Sequence, residues 1–275
     1  VEQEAYLFAT EQELMGENVF CESLAGEEIG RMKSWGTHPL SKAEHLMSSP
    51  TLMNDLPQTF MEPLLFKTAC SRGTKARMST QYLNHVQDED GVTTTCLDRM
   101  TGKELIIRSK YLIGADGGNS LVADNENLPI AGKMGVGGSM NILFKADLSK
   151  YVAHRPSVLY WVMQPGADVG GIGMGLVRMI RPWNEWLIVW GYDINEPAPV
   201  VDQKMATDVA RQLVGDPELE IELLSANTWT VNDAYAEQLS SGRVFIMGDA
   251  AHRHPPSNGL GSNTSIQDSF NLCWK

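Results

Sequence analysis

The pattern of apolar and polar positions divides the chain into stretches of different character. Residues 1–56 show weak periodicity, broken by Gly26, Gly30, Gly36, Pro39 and Ser48-Ser49-Pro50, which predicts loops and short strands. From Pro57 the spacing changes. Phe60, Leu64 and Thr68, with Met61 and Leu65 beside them, recur at helical intervals through Cys70. Pro57 or Pro63 suits the first turn of that helix, where a missing N–H costs little, and Gly73 suits its stop. Alternation of period two then takes over. Lys75–Gln87, Val92–Leu97 and Glu104–Ile113 predict three strands, joined by turns at Asp88–Gly91 and Thr101-Gly102. The third run ends in Tyr111-Leu112-Ile113 and enters Gly114-Ala115-Asp116-Gly117-Gly118, as a buried, central parallel strand feeding a glycine turn would.

Residues 133–193 predict antiparallel sheet, with strands at Ser139–Ala146, Ser157–Gln164, Gly170–Ile180 and Glu185–Tyr192. Asp202–Val214 predicts a helix with Met205, Val209 and Leu213 on one face and Gly215 closing it. Leu219–Val231 predicts another strand, and Arg243–Met247 a short buried one entering Gly248-Asp249. Flanks of α/β type therefore enclose a β-rich block. The predicted fold class is α/β: a nucleotide-type layer from residues 1–132, with segments of the second domain before residue 57, and from 233–275, with the antiparallel-sheet substrate domain of 133–232 inserted.

Composition narrows the function. With 43% hydrophobic and 20% charged residues among 275, the chain is globular. Its 22 Lys+Arg against 34 Asp+Glu leave a net charge of −12, which argues against a nucleic-acid partner, since that would need a basic face. Apolar runs such as Ser157–Met163 are far too short for a bilayer, so no membrane partner is expected, and no leader pattern opens the chain. Cys21, Cys70, Cys96 and Cys273 are widely separated and form no CxxC or His–Cys cluster; no metal is expected, and a reducing cytoplasm fits. The chain opens on Val1 and stops at Lys275 inside a helical pattern, so it reads as part of a longer protein.

The chemistry concentrates near the carboxyl end. The strand Arg243–Met247 meets Gly248-Asp249, followed by Ala250-Ala251-His252, Pro255-Pro256, Gly259-Leu260-Gly261-Ser262-Asn263 and Asp268. Ligands of open α/β sheets bind at the carboxyl ends of strands, which is where Asp249 stands, and its carboxylate can accept hydrogen bonds from sugar or polyol hydroxyls. Pro255-Pro256 stiffens the loop, and Gly259 and Gly261 allow a flat ligand close to the backbone. A helix predicted to begin near Asn263 turns its free N–H groups toward that ligand. A flavin needs such a set, because reduction places negative charge at its N1–C2 edge. A plain strand–turn–helix with Asp249 as a cap is the simpler reading of a lone Gly-Asp; the ordered series is harder to obtain by chance. Asp116-Gly117 repeats the theme after another buried strand, roughly 130 residues earlier, and could alone be an Asx turn.

In order and spacing the two motifs resemble the internal FAD motifs of the single-component flavoprotein aromatic hydroxylases, the group of p-hydroxybenzoate and phenol hydroxylases. Asn263–Lys275 resembles the phenol hydroxylase branch with its chlorophenol-hydroxylating members, and the likeness runs from about Leu56 onward. The resemblance implies an FAD-binding doubly wound α/β layer, incomplete without an amino-terminal ADP-binding βαβ unit that would precede Val1; further helices would follow Lys275. It implies FAD as cofactor and NADPH as co-substrate. Asp249, after Gly248, would bind the ribityl chain, and Asp116 with Gly117 the pyrophosphate and NADPH. Pro256 would lie beside the flavin ring, the backbone of Gly259, Leu260, Gly261, Ser262 and Asn263 would hold its pyrimidine edge, and Gln58 would touch the ribityl or phosphate region. The implied reaction is ortho-hydroxylation of a phenol, chlorinated ones foremost, to a catechol with O2 through a flavin C4a-hydroperoxide. The base that deprotonates the phenol is expected outside these residues, and a homo-oligomeric parent is compatible with the family.

Two departures stand out. Ala123 occupies a position where many relatives carry Arg, and no Gly-x-Gly-x-x-Gly occurs in a strand-to-helix setting, since Gly135–Gly138 and Gly170–Gly175 fit turns and strands better. A related epoxidase or halogenase, or a non-catalytic FAD-binding module, shares both motifs. His252 and His254 on the flavin loop could touch substrate, though loop histidines more often serve as caps. Trp161, Trp183, Trp186 and Trp190 could line an aromatic pocket, though a sheet core suits most of them better.

Overall fold

The computed structural model describes residues 1–164 and 174–275. The first elements are α1 (Glu2–Phe8), β1 (Glu17–Cys21), β2 (Glu28–Lys33), α2 (Lys42–Ser48) and α3 (Gln58–Ser71). They are followed by β3 (Thr80–Gln87), β4 (Val92–Asp98), β5 (Lys103–Ser109), β6 (Leu112–Gly114), α4 (Leu121–Asn125) and β7 (Ile130–Lys145). Next come α5 (Ser149–Val152), β8 (Leu159–Val162), β9 (Gly175–Arg181), β10 (Glu185–Tyr192), α6 (Gln203–Val214) and β11 (Glu222–Ala236). The chain closes with β12 (Ser240–Ser241), β13 (Val244–Ile246), β14 (His252–Arg253) and α7 (Leu260–Trp274). Among the described residues, no helix is long and apolar enough to cross a membrane.

The chain divides into two compact units, residues 1–74 with 137–230 and residues 75–136 with 231–275. In the first, the strand order is β11-β7-β10-β9-β8-β1-β2. Strand β10 holds the register: it pairs antiparallel with β7 from Glu185↔Lys145 to Tyr192↔Gly138, and with β9 on its other side. Alternation turns Trp186 and Ile188 of β10 to the same face as Met140, Ile142 and Phe144 of β7 and Val177 and Met179 of β9, all of them buried. Helix α6 completes this core with Ala206, Val209, Ala210, Leu213 and Val214. Asp202 caps it by accepting the Met205 N–H at 2.8 Å, and Gly215, at φ 81°, ends it in the left-handed conformation that a Cβ would disfavour. Strand β1 joins β8 in parallel, a long-range pairing that no local pattern announces.

In the second unit, β3, β4 and β5 form the expected meander. A separate sheet, β12-β13-β6, pairs β6 and β13 in parallel. Val92, Val122, Ala123, Val244, Ile246, Ala250 and Ala251 form the core of this unit.

The α/β class is observed, with differences in detail. Helices α1 and α2 occupy stretches expected as loops; neither buries a residue fully, so neither has the apolar stripe that periodicity detects. The run 104–113, expected as one strand, is two: β5 belongs to the meander and β6 to the other sheet. Between them the Ser109 hydroxyl donates to the Tyr111 carbonyl at 2.8 Å and turns the chain. Pro57 precedes the first residue of α3, while Pro63 lies inside it. Of the strand expected at 170–180, residues 170–173 lie outside the described residues; the remainder corresponds to β9.

Trp186 has the largest fully buried side chain, and its indole N–H donates to the Ala146 and Trp183 carbonyls at 3.2 and 3.0 Å. Trp186→Ala should cost about 3–5 kcal/mol, the range for emptying a buried aromatic site. Urea unfolding of both proteins measures it; a loss below about 1 kcal/mol would mean that β10 does not centre this core.

Candidate functional site

Strands β6 and β13 lie side by side, with Val244↔Leu112, Phe245↔Ile113 and Ile246↔Gly114 in register. Because they are parallel, both end in the same direction, and the Met247 N–H continues the ladder to the Gly114 carbonyl at 3.0 Å. Asp116 follows one strand end and Asp249 the other, so the second unit brings together the Asp116-Gly117 and Gly248-Asp249 motifs that the sequence holds far apart. Gly114 permits the approach: a Cβ there would lie 2.7 Å from Val122 Cβ and 3.3 Å from Ile246 Cγ2.

The two aspartates are used differently. Asp116 accepts the Ser120 hydroxyl at 2.6 Å and the Val122 N–H at 3.2 Å, while Ser120 Oγ accepts the Ala123 N–H at 3.0 Å as the cap of α4. Its carboxylate thus organises the backbone of the turn. Gly117, at φ 84°, lets the chain reverse, and nothing lies within 4 Å of where its Cβ would be. Asp249 is exposed, on a 3-10 turn over Gly248–Ala250, and its carboxylate has no partner among the described residues.

Asp268 of α7 holds that turn. Its Oδ2 accepts the Gly248 N–H at 2.9 Å and meets His252 Nε2 at 2.6 Å. The other ring nitrogen of His252 and Nε2 of His254 are buried without a partner, and the two rings lie 5.0 Å apart. Pro256 opens a second 3-10 turn, Pro256–Asn258, whose end at Gly259 also starts α7. The helix was expected to begin near Asn263. It begins at Leu260, because the left-handed Gly259 turns the chain early, and so Leu260, Gly261, Ser262 and Asn263 form its first turn. No side chain caps this helix, Asn263 Nδ2 donates to the Gly259 carbonyl at 2.8 Å, and nothing lies within 4 Å of a Cβ built at Gly259 or Gly261.

A carboxylate without a partner, an uncapped helix start and open space over two glycines fit the ribityl chain and pyrimidine edge of a flavin. Gln58 belongs to the other unit. It is exposed on the first turn of α3, with Nε2 donating to Glu62 Oε1 at 2.5 Å.

Three features escaped the sequence reading. Asp268 was visible as part of the motif, but its grip on Gly248 spans a loop. Arg253 was passed over beside its histidines. A buried polar chain was missed altogether: Tyr82 Oη meets His85 Nδ1 at 2.5 Å, and His85 Nε2 meets Glu126 Oε1 at 2.7 Å. Gln87 Nε2 donates to both Glu126 oxygens at 3.1 Å. Burial, with the Asp116 and Glu126 carboxylates nearby, pushes the Tyr82 phenol up to about 12, so it stays a donor. With the phenol donating to Nδ1 and the Nε2–H to Glu126, all three groups are satisfied. The chain ties β3 to the end of α4 and thereby supports the Asp116 turn.

Comparison with known proteins shows the family. Residues 1–275 match the family described as FAD binding domain. The chain is 56% identical over its whole length to 2,4-dichlorophenol 6-monooxygenase of Cupriavidus pinatubonensis, covering 46% of that protein. It is 50% identical to phenol 2-monooxygenase of a Pseudomonas species, covering 44% of it. The crystal structure of the flavin-dependent monooxygenase PieE in complex with FAD and substrate superposes with a TM-score of 0.92 at 36% identity, over 99% of this chain and 47% of that one. The chain spans about half the length of the curated relatives it matches.

The buried chain should make stability depend on pH. Burial raises the Glu126 carboxyl, but hydrogen bonds from Ser241, His85 and Gln87 outweigh it and hold the pKa below the ordinary value. A folded-state pKa below the unfolded one gives stability that is complete above the unfolded value, about 4.3, and is lost as pH falls through the folded value. Glu126→Gln should flatten that acid-side loss, and Glu126→Ala should cost about 1–3 kcal/mol at neutral pH by stranding His85 and Gln87. Urea unfolding at pH values between about 3 and 7 checks both; equal pH profiles for the parent and Glu126→Gln would refute the linkage.

Proposed function

The chain belongs to the FAD binding domain family, and on that premise we propose that the full-length protein is an FAD- and NADPH-dependent monooxygenase acting on a phenol. Its reaction would convert the phenol, O2, NADPH and a proton into the ortho-catechol, water and NADP+, with chlorinated phenols as the first substrates to test. The observation that carries this reading is the in-register pairing of β6 and β13, which sets the Asp116-Gly117 and Gly248-Asp249 turns together beside the uncapped start of α7. The phenol and dichlorophenol monooxygenases among its relatives support the substrate class.

Bound FAD, once reduced, supplies the activation of O2 and the transfer of one oxygen atom to the electron-rich ring carbon. The chain's own residues bind and orient. The Asp249 carboxylate would accept hydrogen bonds from ribityl hydroxyls. The free N–H groups of Leu260, Gly261 and Ser262 would face the pyrimidine edge and stabilise negative charge there. Pro255-Pro256 would hold the loop against the ring, and Gly259 and Gly261 leave room for it. Asp116 keeps the glycine turn in shape for the dinucleotide phosphates.

The test is to purify the full-length protein and record its flavin spectrum, then follow NADPH oxidation and catechol formation with phenol and 2,4-dichlorophenol. Phenol-stimulated oxidation with catechol formation supports the reading; tight FAD without stimulated turnover, or a product that depends on chloride, overturns it. Asp249→Ala should lose one or two charge-assisted hydrogen bonds, about 1.5–3 kcal/mol each, and weaken FAD roughly tenfold or more. Unchanged FAD affinity in that variant would remove Asp249 from the site.

Gly261→Val separates cofactor contact from folding. The added side chain meets no protein atom within 4 Å of its Cβ, so the variant should fold. It should nonetheless bind FAD more weakly, because the space it fills is where the flavin approaches the helix start. Normal FAD binding by titration would show that the flavin does not approach there.

A further inference from the structure

Arg31, Arg77, Arg108, Arg155, Arg178 and Arg211 each pair with a carboxylate. Arg253, like Arg72, Arg99, Arg181 and Arg243, has no carboxylate partner among the described residues, although the chain carries 34 acidic groups against 22 basic ones. Its position is nevertheless fixed. It lies on β14, paired with Ala234 of β11, and its Nε donates to the Asp249 carbonyl at 3.0 Å. One terminal nitrogen contacts Met134 Sδ at 3.4 Å. The same Nε would be 3.4 Å from a Cβ on Gly118. The guanidinium is therefore held against the Asp116-Gly117-Gly118 turn and the Gly248-Asp249 turn at once. Beside it, the N–H groups of Gly117, Gly118 and Asn119 donate to no group among the described residues.

A planar cation with an unused edge, next to three undonated N–H groups, is a receptor for a phosphate oxyanion. The neighbouring acids do not cancel it. Asp116 is turned to Ser120 and Val122, and Asp249 suits polyol hydroxyls. Hydroxyls and phosphate together describe a dinucleotide, in which a sugar chain runs directly into a phosphate. We propose that Arg253 is the cationic member of a phosphate site completed by the Gly117–Asn119 turn, and that it binds a phosphate of a dinucleotide. This rests on the FAD reading above. The phosphate can come from FAD or from NADPH, and the experiment separates them.

In the full-length protein, Arg253→Gln and Arg253→Lys are compared with the parent. FAD affinity is measured by titrating the apoprotein, and the KM for NADPH by steady-state kinetics. Inorganic pyrophosphate serves as a competitor. Loss of charge-assisted hydrogen bonds should weaken binding of one dinucleotide tenfold or more in Arg253→Gln, with Arg253→Lys intermediate. Weaker FAD with unchanged NADPH identifies the flavin phosphate, and the reverse identifies NADPH. Pyrophosphate should compete less well against Arg253→Lys than against the parent, and this comparison decides the matter if Arg253→Gln does not fold. Affinities within twofold of the parent for both dinucleotides, or Arg253→Lys no better than Arg253→Gln, overturn the proposal. A parent that binds no FAD refutes the underlying reading; a parent that binds FAD while neither dinucleotide is weakened in its variants refutes only the role of Arg253.

Discussion

Everything at the candidate site depends on one pairing, β6 against β13 in parallel register. Parallel strands place their carboxyl ends together, which antiparallel neighbours cannot do. That alone explains how two dipeptides far apart in sequence become parts of one place. The pairing carries a steric condition at Gly114, where the strand lies against Val122 of α4 and Ile246 of β13. A side chain at that position would push α4 outward and take the Asp116 turn with it. The glycine is needed for the contact it allows rather than for an unusual backbone angle.

The two turns share a chemistry and divide its use. Helix α4 begins soon after Asp116, so the Ser120 hydroxyl and Val122 N–H come within reach and occupy its carboxylate. After Asp249 the chain enters a 3-10 turn, in which the Ala251 N–H already bonds to the Gly248 carbonyl at 2.8 Å. No such local donor is left for Asp249, and its carboxylate is free for a ligand. Asp268 supplies from a distance what Asp116 supplies locally: it fixes the glycine turn, through the Gly248 N–H and His252. One carboxylate is left without a partner while two others hold the backbone.

How legible each part was in the sequence follows from the range of the interaction that makes it. Strand β10 was expected with the bounds it has, and α6 within one residue of its start, because one buried face leaves a period and local caps mark the ends. The small helices α1 and α2 bury too little to leave any period. The split of 104–113 into β5 and β6 depends on which sheet each joins, a choice made by partners distant in sequence. The glycine turns were legible because Gly117, Gly248 and Gly259 take positive φ, which glycine adopts without strain. The start of α7 was placed late because Gly259 could have been loop or cap, and only its left-handed conformation decides. The Tyr82–His85–Glu126 chain was not legible, since three ordinary residues on β3 and just past α4 acquire meaning only when they meet.

An acidic chain that receives an anionic dinucleotide must solve its electrostatics locally. With a net charge of −12, the long-range field opposes such a ligand. Charges farther off than about 8 Å are largely screened at physiological salt, so the groups at the turns themselves decide. Here the nearby acids are engaged: Glu126 by His85 and Gln87, Asp268 by His252 and the Gly248 N–H, and Asp116 by the cap of α4. Beside the exposed Asp249 carboxylate, what faces outward is the opposite polarity, backbone N–H groups of the glycine turn and of the α7 start, with the Arg253 guanidinium between the turns. The hydrogen bonds that shape the site therefore also offset part of its repulsion, and a substitution that frees one of those carboxylates would weaken anion binding even where the fold survives.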